Sequence, residues 1–275
     1  MEEIRIIPNV QTLLAFLLIR PGRMYSRNNI ASLLWAECSE EQAHSCLNTA
    51  LWRLRKVLEP KGVRAGAYLI STANGELGFN FLGDYWVDVI EFERTIQYTT
   101  NIDFGSASAN DIHRLEQAVM LYNADLLEGC YEDWVIRERE RLHLSYVEAL
   151  YYLLNFYQYH KEYAKAIRWG QQILLVDPLR EDVHRSLMRL YTENGQRALA
   201  VRQYQSCQKI LETELGIEPM LETRLVHYKV LGGQQAERPK DSAQIDETMA
   251  SLESAMDSIR RAQQELQEAL AHLDK

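Results

Sequence analysis

The chain has 275 residues, 47% of them hydrophobic and 25% charged, with a formal net charge of −9. That length suits two or three domains rather than one, and the mix excludes a disordered or fibrous chain. An acidic total also argues against a nucleic-acid binder coated in positive charge from end to end.

The only apolar run near the start, Leu13 to Ile19, is too short to span a membrane and lacks the flanks of a secretion signal. Cys38, Cys46, Cys130 and Cys207 form no CxxC pair and have no histidine at ligand spacing. Scattered thiols suit a reducing compartment, so a cytoplasmic protein without disulfide, metal or membrane association is expected.

In chain order, residues 10–20 carry enough apolar positions for a helix buried on most sides, ended by Pro21-Gly22. Ser26 is a good N-cap for a second helix, Arg27 to Trp35, with Ile30, Leu33 and Leu34 on its apolar face. Ser39 with Gln42 predicts a capping box, opening a third helix that runs to Leu58 and closes at Glu59-Pro60. Leu47, Leu51, Leu54 and Leu58 make its apolar stripe; Ser45, Asn48, Thr49, Trp52, Arg53 and Lys56 fall on the opposite side. Residues 67–72 and 77–81 predict two strands joined by Asn74-Gly75, a strong hairpin signal. Three helices and a β-hairpin make a winged helix–turn–helix.

Asp84 to Glu93 is partly apolar and is expected to pack at a junction, with a Ser/Asn/Gly-rich loop at residues 99–110. Helices are then predicted at about 111–123, 132–159, 162–176, 179–194, 196–214 and 220–231. Within this stretch a register of 34 residues lays Leu153 on Leu187, Tyr157 on Tyr191, Ala166 on Ala200 and Arg168 on Arg202, the mark of a tetratricopeptide-like repeat. Lys161-Glu162 and Gly195-Gln196 stand at the hairpin turns, and Asp177-Pro178 separates the repeats. The tyrosines Tyr146, Tyr151, Tyr152, Tyr157, Tyr159 and Tyr163 are read as core or groove-edge residues with hydroxyls at the rim.

Residues 233–243 read as a linker rich in Gly, Gln, Pro and charge. Beyond it Ile245, Met249, Leu252, Met256, Ile259, Gln263, Leu266, Leu270 and Leu273 follow alternating steps of four and three, a heptad seam with one polar residue. Self-association into a homodimer is the favoured reading, and an amphipathic helix lying on its own repeat domain is the alternative. The expected fold is mainly α. Its parts are a winged helix–turn–helix (1–95), a TPR-like helical domain (96–232), the linker and a coiled-coil helix (244–275).

No phosphate-binding, zinc-protease, nucleophile-elbow or dinucleotide motif is present in the sequence, and the seven histidines are dispersed. Neither catalysis nor a cofactor is expected. Binding to double-stranded DNA needs an element that enters the major groove with groups for phosphates and base edges. The third helix offers Ser45, Asn48, Thr49, Trp52, Arg53, Arg55 and Lys56, with Arg23 and Arg27 at the start of the second helix as backbone contacts. The competing reading is that Arg53, Arg55 and Lys56 form only a solvated basic helix end facing the dipole's negative pole.

These segments resemble a known family. RPGRMYSRNNIASLLW, a helix containing LWRLRKVL and a hairpin ending in LGF resemble the DNA-binding domain of OmpR-type regulators. Leu127-Glu128-Gly129 before Trp134, Glu138-Arg139, Asp177-Pro178-Leu179-Arg180-Glu181, Leu187-Met188-Arg189, Tyr204 and Leu215-Gly216-Ile217-Glu218-Pro219 resemble the bacterial transcriptional activator domain. Their order over about residues 9–230 looks like the Streptomyces antibiotic regulatory protein (SARP) family. The resemblance implies a transcriptional regulator, an activator by the family's habit, that meets RNA polymerase or another regulator through the link at Trp35 to Glu40 and the repeat domain.

Four features depart from the family's pattern. Up to residue 100 basic and acidic residues roughly cancel, and the wing tip, Asn74-Gly75-Glu76, carries an acid and no cation. The first helix begins within a few residues of Met1, leaving little room for the family's N-terminal sheet. Trp52, where a small polar residue is usual, is expected either to touch DNA or to cover the hole left by that sheet. A second class therefore stays open: a protein-interaction scaffold with a degenerate winged helix.

Overall fold

The structure, a computed structural model, describes residues 7–232. The heptad seam from Ile245 to Leu273 lies outside the described residues. The winged-helix part comprises α1 (Pro8–Leu18), β1 (Tyr25–Ser26), α2 (Arg27–Leu34), α3 (Glu40–Leu58), β2 (Leu69–Ser71) and β3 (Glu76–Phe79). Helix α1 ends at Leu18, ahead of Pro21-Gly22, and its buried Val10, Leu13, Phe16 and Leu17 face α3 and the sheet. Ser26 caps α2 by accepting from the Asn29 N–H, and Ser39 with Gln42 closes both halves of the capping box at α3. Leu47 and Leu54 are fully buried beneath α3, together with Leu13, Leu17, Ile30, Leu69 and Leu77.

The sheet corrects two expectations. It has three strands rather than two, in the order β1-β3-β2, because Tyr25 and Ser26 pair with Leu77 and Glu76. The turn at Asn74-Gly75 is a three-residue loop, with the Gly75 N–H bonded to the Thr72 carbonyl (3.0 Å) and Thr72 N–H to the Glu76 carbonyl (3.0 Å). Gly75 takes φ +79°, the left-handed position such a loop demands.

The helical part comprises α4 (Asp88–Thr99), α5 (Ala109–Leu121), α6 (Asp133–Tyr159), α7 (Tyr163–Val176), α8 (Glu181–Glu193), α9 (Arg197–Leu215) and α10 (Leu221–Val230). Residues 88–99, of which only those up to Glu93 were read from sequence as a partly apolar junction, form α4, with Phe92 and Ile96 buried at the edge of the helical core. The 34-residue register is visible in backbone detail. The Glu162 N–H reaches the Tyr157 carbonyl at 2.8 Å, and the Gln196 N–H reaches the Tyr191 carbonyl at 2.7 Å. Lys161 and Gly195 close these turns at φ +57° and +73°; the lysine accepts a left-handed conformation costing about 1–2 kcal/mol. Ala166 and Ala200 are fully buried at equivalent positions. Gly170 lets α7 approach α8 so closely that an added methyl would lie 2.8 Å from Leu187 Cδ2.

The tyrosine hydroxyls are engaged as expected at the rim: Tyr151 donates to Asp182 (2.6 Å), Tyr152 to the Ile102 carbonyl (2.8 Å) and Tyr157 to Glu116 (2.8 Å). The motif residues also acquire structural reasons. Asp177 accepts from the Leu179 N–H (3.1 Å). The buried Glu181 carboxylate accepts from the Met220 N–H (2.9 Å) and the Thr223 hydroxyl (2.6 Å) at the N-terminus of α10. A carboxylate there meets unpaired N–H groups and the positive end of the helix dipole.

The two cores are joined by α6. Its first turn lends Trp134 and Val135 to the winged-helix core, where Trp134 meets Phe16 edge-on at 5.3 Å. One turn on, buried Glu138 accepts from Arg20 of the winged-helix part at 2.8 Å and from Arg141 at 2.6 Å, and Arg141 also pairs with Glu93. Arg139 donates to the Leu126 carbonyl at 2.7 Å and to that of Leu127, fixing the loop before α6 where Leu127 and Gly129 have positive φ. Burial disfavours the charged form of Glu138, but hydrogen bonds and charge from Arg141 and Arg20 prevail and hold the carboxyl below its ordinary range.

Candidate nucleic-acid interface

Helix α3 buries Ala43, Leu47, Ala50, Leu51 and Leu54 on one side and leaves Ser45, Asn48, Thr49, Trp52, Arg53 and Lys56 exposed on the other. Steps of three and four place those six on one face. Trp52 keeps 60% of its surface exposed, so it does not cover a hole under the helix. The Lys56 ammonium sits over its ring, 4.5 Å from the centroid, a cation–π pair that holds both side chains out on the face. Thr49 turns its hydroxyl back onto the Ser45 carbonyl at 3.0 Å, which occupies its proton but leaves the oxygen able to accept.

Two of the predicted cations are recruited to the wing. Arg55 is half-buried and donates to the Ser71 hydroxyl on β2 at 2.8 Å. Arg27, the first residue of α2, lies against the Gly75 turn and donates through Nη2 to the Asn48 Oδ1 on α3. Positive charge thus reaches the wing from α2 and α3, although the tip residues themselves carry none. Arg23 is placed elsewhere: its guanidinium lies over the Tyr25 ring at 5.2 Å, in a crevice between α2 and α6 that is also lined by Trp134, Arg137 and Glu138.

Sequence reasoning missed a residue that ties the helix to the wing. Glu59, at the C-cap of α3, accepts from the Tyr68 and Leu69 N–H groups at 3.0 Å each. Burial raises its proton affinity, but these backbone donors and Arg55 prevail and keep it ionised. A carboxylate at the negative end of a helix is unfavourable without such compensation, and that misfit was a usable signal.

The α2–α3 link forms one side of a groove lined by Asn28, Ser32, Trp35, Cys38, Glu40 and His44. Among the described residues, no group of three or more His, Cys, Asp and Glu stands where a metal ion would be held, and no helix is long and apolar enough to cross a membrane.

Comparison with known proteins agrees with this geometry. The profile described as "Transcriptional regulatory protein, C terminal" matches residues 1–76, and that described as "Bacterial transcriptional activator domain" matches residues 87–231. Regulatory protein AfsR of Streptomyces coelicolor is 26% identical over 256 residues, covering 93% of this chain and 24% of AfsR. Transcriptional regulator RedD of the same organism is 28% identical over 230 residues, covering 81% of this chain and 63% of RedD. The chain thus spans about a quarter of the length of AfsR. The solved structure of Mycobacterium tuberculosis EmbR in complex with a low affinity phosphopeptide shares the fold, with a TM-score of 0.63 at 18% identity over 91% of this chain and 65% of that one. An OmpR-type winged helix wired through Trp134 and Glu138 to a helical domain that the activator-domain profile matches over 87–231 makes the chain a member of the bacterial transcriptional activator domain family, in the SARP-like arrangement.

Proposed function

We propose that the chain is a cytoplasmic transcriptional activator whose α3 enters the major groove of promoter repeats while the helical domain makes protein contacts. The observation that carries this reading is the exposed face of α3, where Asn48, Trp52, Arg53 and Lys56 point away from a helix fastened from behind by five buried residues. Arg53 and Lys56 meet phosphate or guanine, and Trp52 packs on sugar or a thymine methyl. The α2–α3 groove around Trp35 and Glu40 is the surface offered to RNA polymerase or another regulator.

Charge near balance in the winged helix implies weak binding by one copy. Pairing two copies through residues 244–275 would offset that by raising effective concentration. The test is fluorescence anisotropy on a duplex from the gene's own upstream region, with a scrambled duplex beside it, titrated against salt. Arg53→Ala and Lys56→Ala are expected each to weaken binding and to reduce the salt slope by about 1; unchanged slopes would sink the assignment. Truncation after Gly233 is expected to weaken binding if the tail dimerises.

One observation favours a second reading, an interaction scaffold with a degenerate winged helix. Glu76 sits in the wing opposite Ser26, and an acid there repels phosphate. Absence of binding to either duplex at low salt would favour it.

A further inference from the structure

Asn48 is the amide on the exposed α3 face, and an asparagine facing a base ordinarily offers one acceptor and one donor edge, which matches adenine N6 and N7. Here one lone pair of the acceptor oxygen is taken. Arg27 donates to the Asn48 Oδ1, and since a guanidinium carries only donors, the oxygen must be the atom that faces it. The oxygen is thereby held toward Arg27, and the amide NH2 is turned away from it. Arg27 is well placed for this: it starts α2, is half-buried beneath the Gly75 turn, and among the described residues makes no ion pair with a carboxylate. A cation at the first position of a helix also opposes the dipole, so its placement has no local stability rationale.

We propose that Arg27 is a specificity-positioning residue that pins Asn48 Oδ1 and so holds the amide NH2 outward, favouring guanine, whose O6 and N7 both accept, over adenine at the base pair it meets. This rests on the DNA-binding reading above. With Asn48 turned donor-outward, adenine N6–H2 would stand against the amide NH2, donor to donor, and only guanine offers two acceptors side by side. Releasing Oδ1 restores the donor–acceptor edge that adenine fits.

The experiment is selection of a duplex library with a randomised core by the full-length chain, followed by sequencing, with wild type, Asn48→Ala and Arg27→Met compared. The methionine keeps the aliphatic stem beside Gly75 and removes the donors. Asn48→Ala locates the position by flattening one column of the selected motif. At that column wild type is expected to favour guanine over adenine by on the order of tenfold, and Arg27→Met to lose or reverse that preference. Both variants must keep the wild-type thermal transition within a few degrees; Arg27→Lys, which keeps a donor-only group, serves as the second variant and should retain guanine. A wild-type preference for another base, a guanine preference unchanged in Arg27→Met, or no column altered by Asn48→Ala would each overturn the inference while leaving DNA binding intact. Failure of the wild type to enrich any sequence would instead overturn the DNA-binding reading, and this one with it.

Discussion

Trp134 belongs by sequence to α6 of the helical domain but by packing to the winged-helix core, and its removal should therefore destabilise a domain it is not part of. The indole is 7% exposed and meets Phe16 edge-on at 5.3 Å. Truncating a buried Trp to Ala costs about 3–5 kcal/mol through lost burial and the cavity left behind. The bond from its N–H to the half-buried Glu132 carboxylate (2.7 Å) is lost as well and adds to that cost. A domain of the winged helix's size holds only about 4–12 kcal/mol in all, so Trp134→Ala should bring it close to marginal stability. The helical core, which runs from Phe92 to Val230 without Trp134, should be spared. Urea unfolding followed by tryptophan fluorescence and by far-UV circular dichroism should then separate into two transitions, with the earlier one belonging to the winged helix. Leu153→Ala, in the fully buried centre of the helical core, should shift the later transition instead. A single transition moved by less than about 1 kcal/mol would refute the packing argument, since no well-seated tryptophan is that cheap to remove.

Two further outcomes follow from local geometry. Gly170→Ala gains about 1 kcal/mol of helix propensity but forces a methyl to within 2.8 Å of the fully buried Leu187. Overpacking of that kind costs about 1–3 kcal/mol, so the melting temperature should fall by a few degrees, and a rise would show that α7 and α8 are not pressed together as described. His184 is buried, and its two nitrogens suit only the neutral ring: Nε2–H donates to the Pro178 carbonyl at 3.0 Å and Nδ1 accepts from Gln203 at 2.7 Å. Burial holds its pKa below the ordinary value. The unfolded chain therefore binds the proton first, and this group's contribution is complete above about pH 6.5 and is lost as pH falls toward the lowered folded value. Stability against urea should drop between pH 7 and pH 5 more in wild type than in His184→Gln, and equal pH profiles would refute the assignment.

Much of this was legible in the sequence because local chemistry carried it. The caps at Ser26 and Ser39 and the breaks at Lys161 and Gly195 fix where helices start and stop through hydrogen bonds only a few residues long. Helix α4 was missed because Val87 at its N-cap makes no side-chain capping bond and the segment lies outside the 34-residue register that placed α7 to α9. Strand β1 was missed because two residues carry no alternation to read, and it exists only where β3 offers a partner.

The sequence by itself determined the helix periodicities, the repeat register and the set of polar side chains on the outer face of α3, since each follows from spacing along the chain. Tertiary structure alone decided which of the candidate DNA contacts stay free. Arg55 went to Ser71, Arg27 to Asn48 and Arg23 to the crevice beside α6, leaving Trp52, Arg53 and Lys56 on the open face. It also decided that Glu138 would meet Arg20 across 118 residues of chain. A guanidinium has five donors and a long stem, so its partner depends on which acceptor the packed fold brings within reach, and no spacing rule in one dimension encodes that.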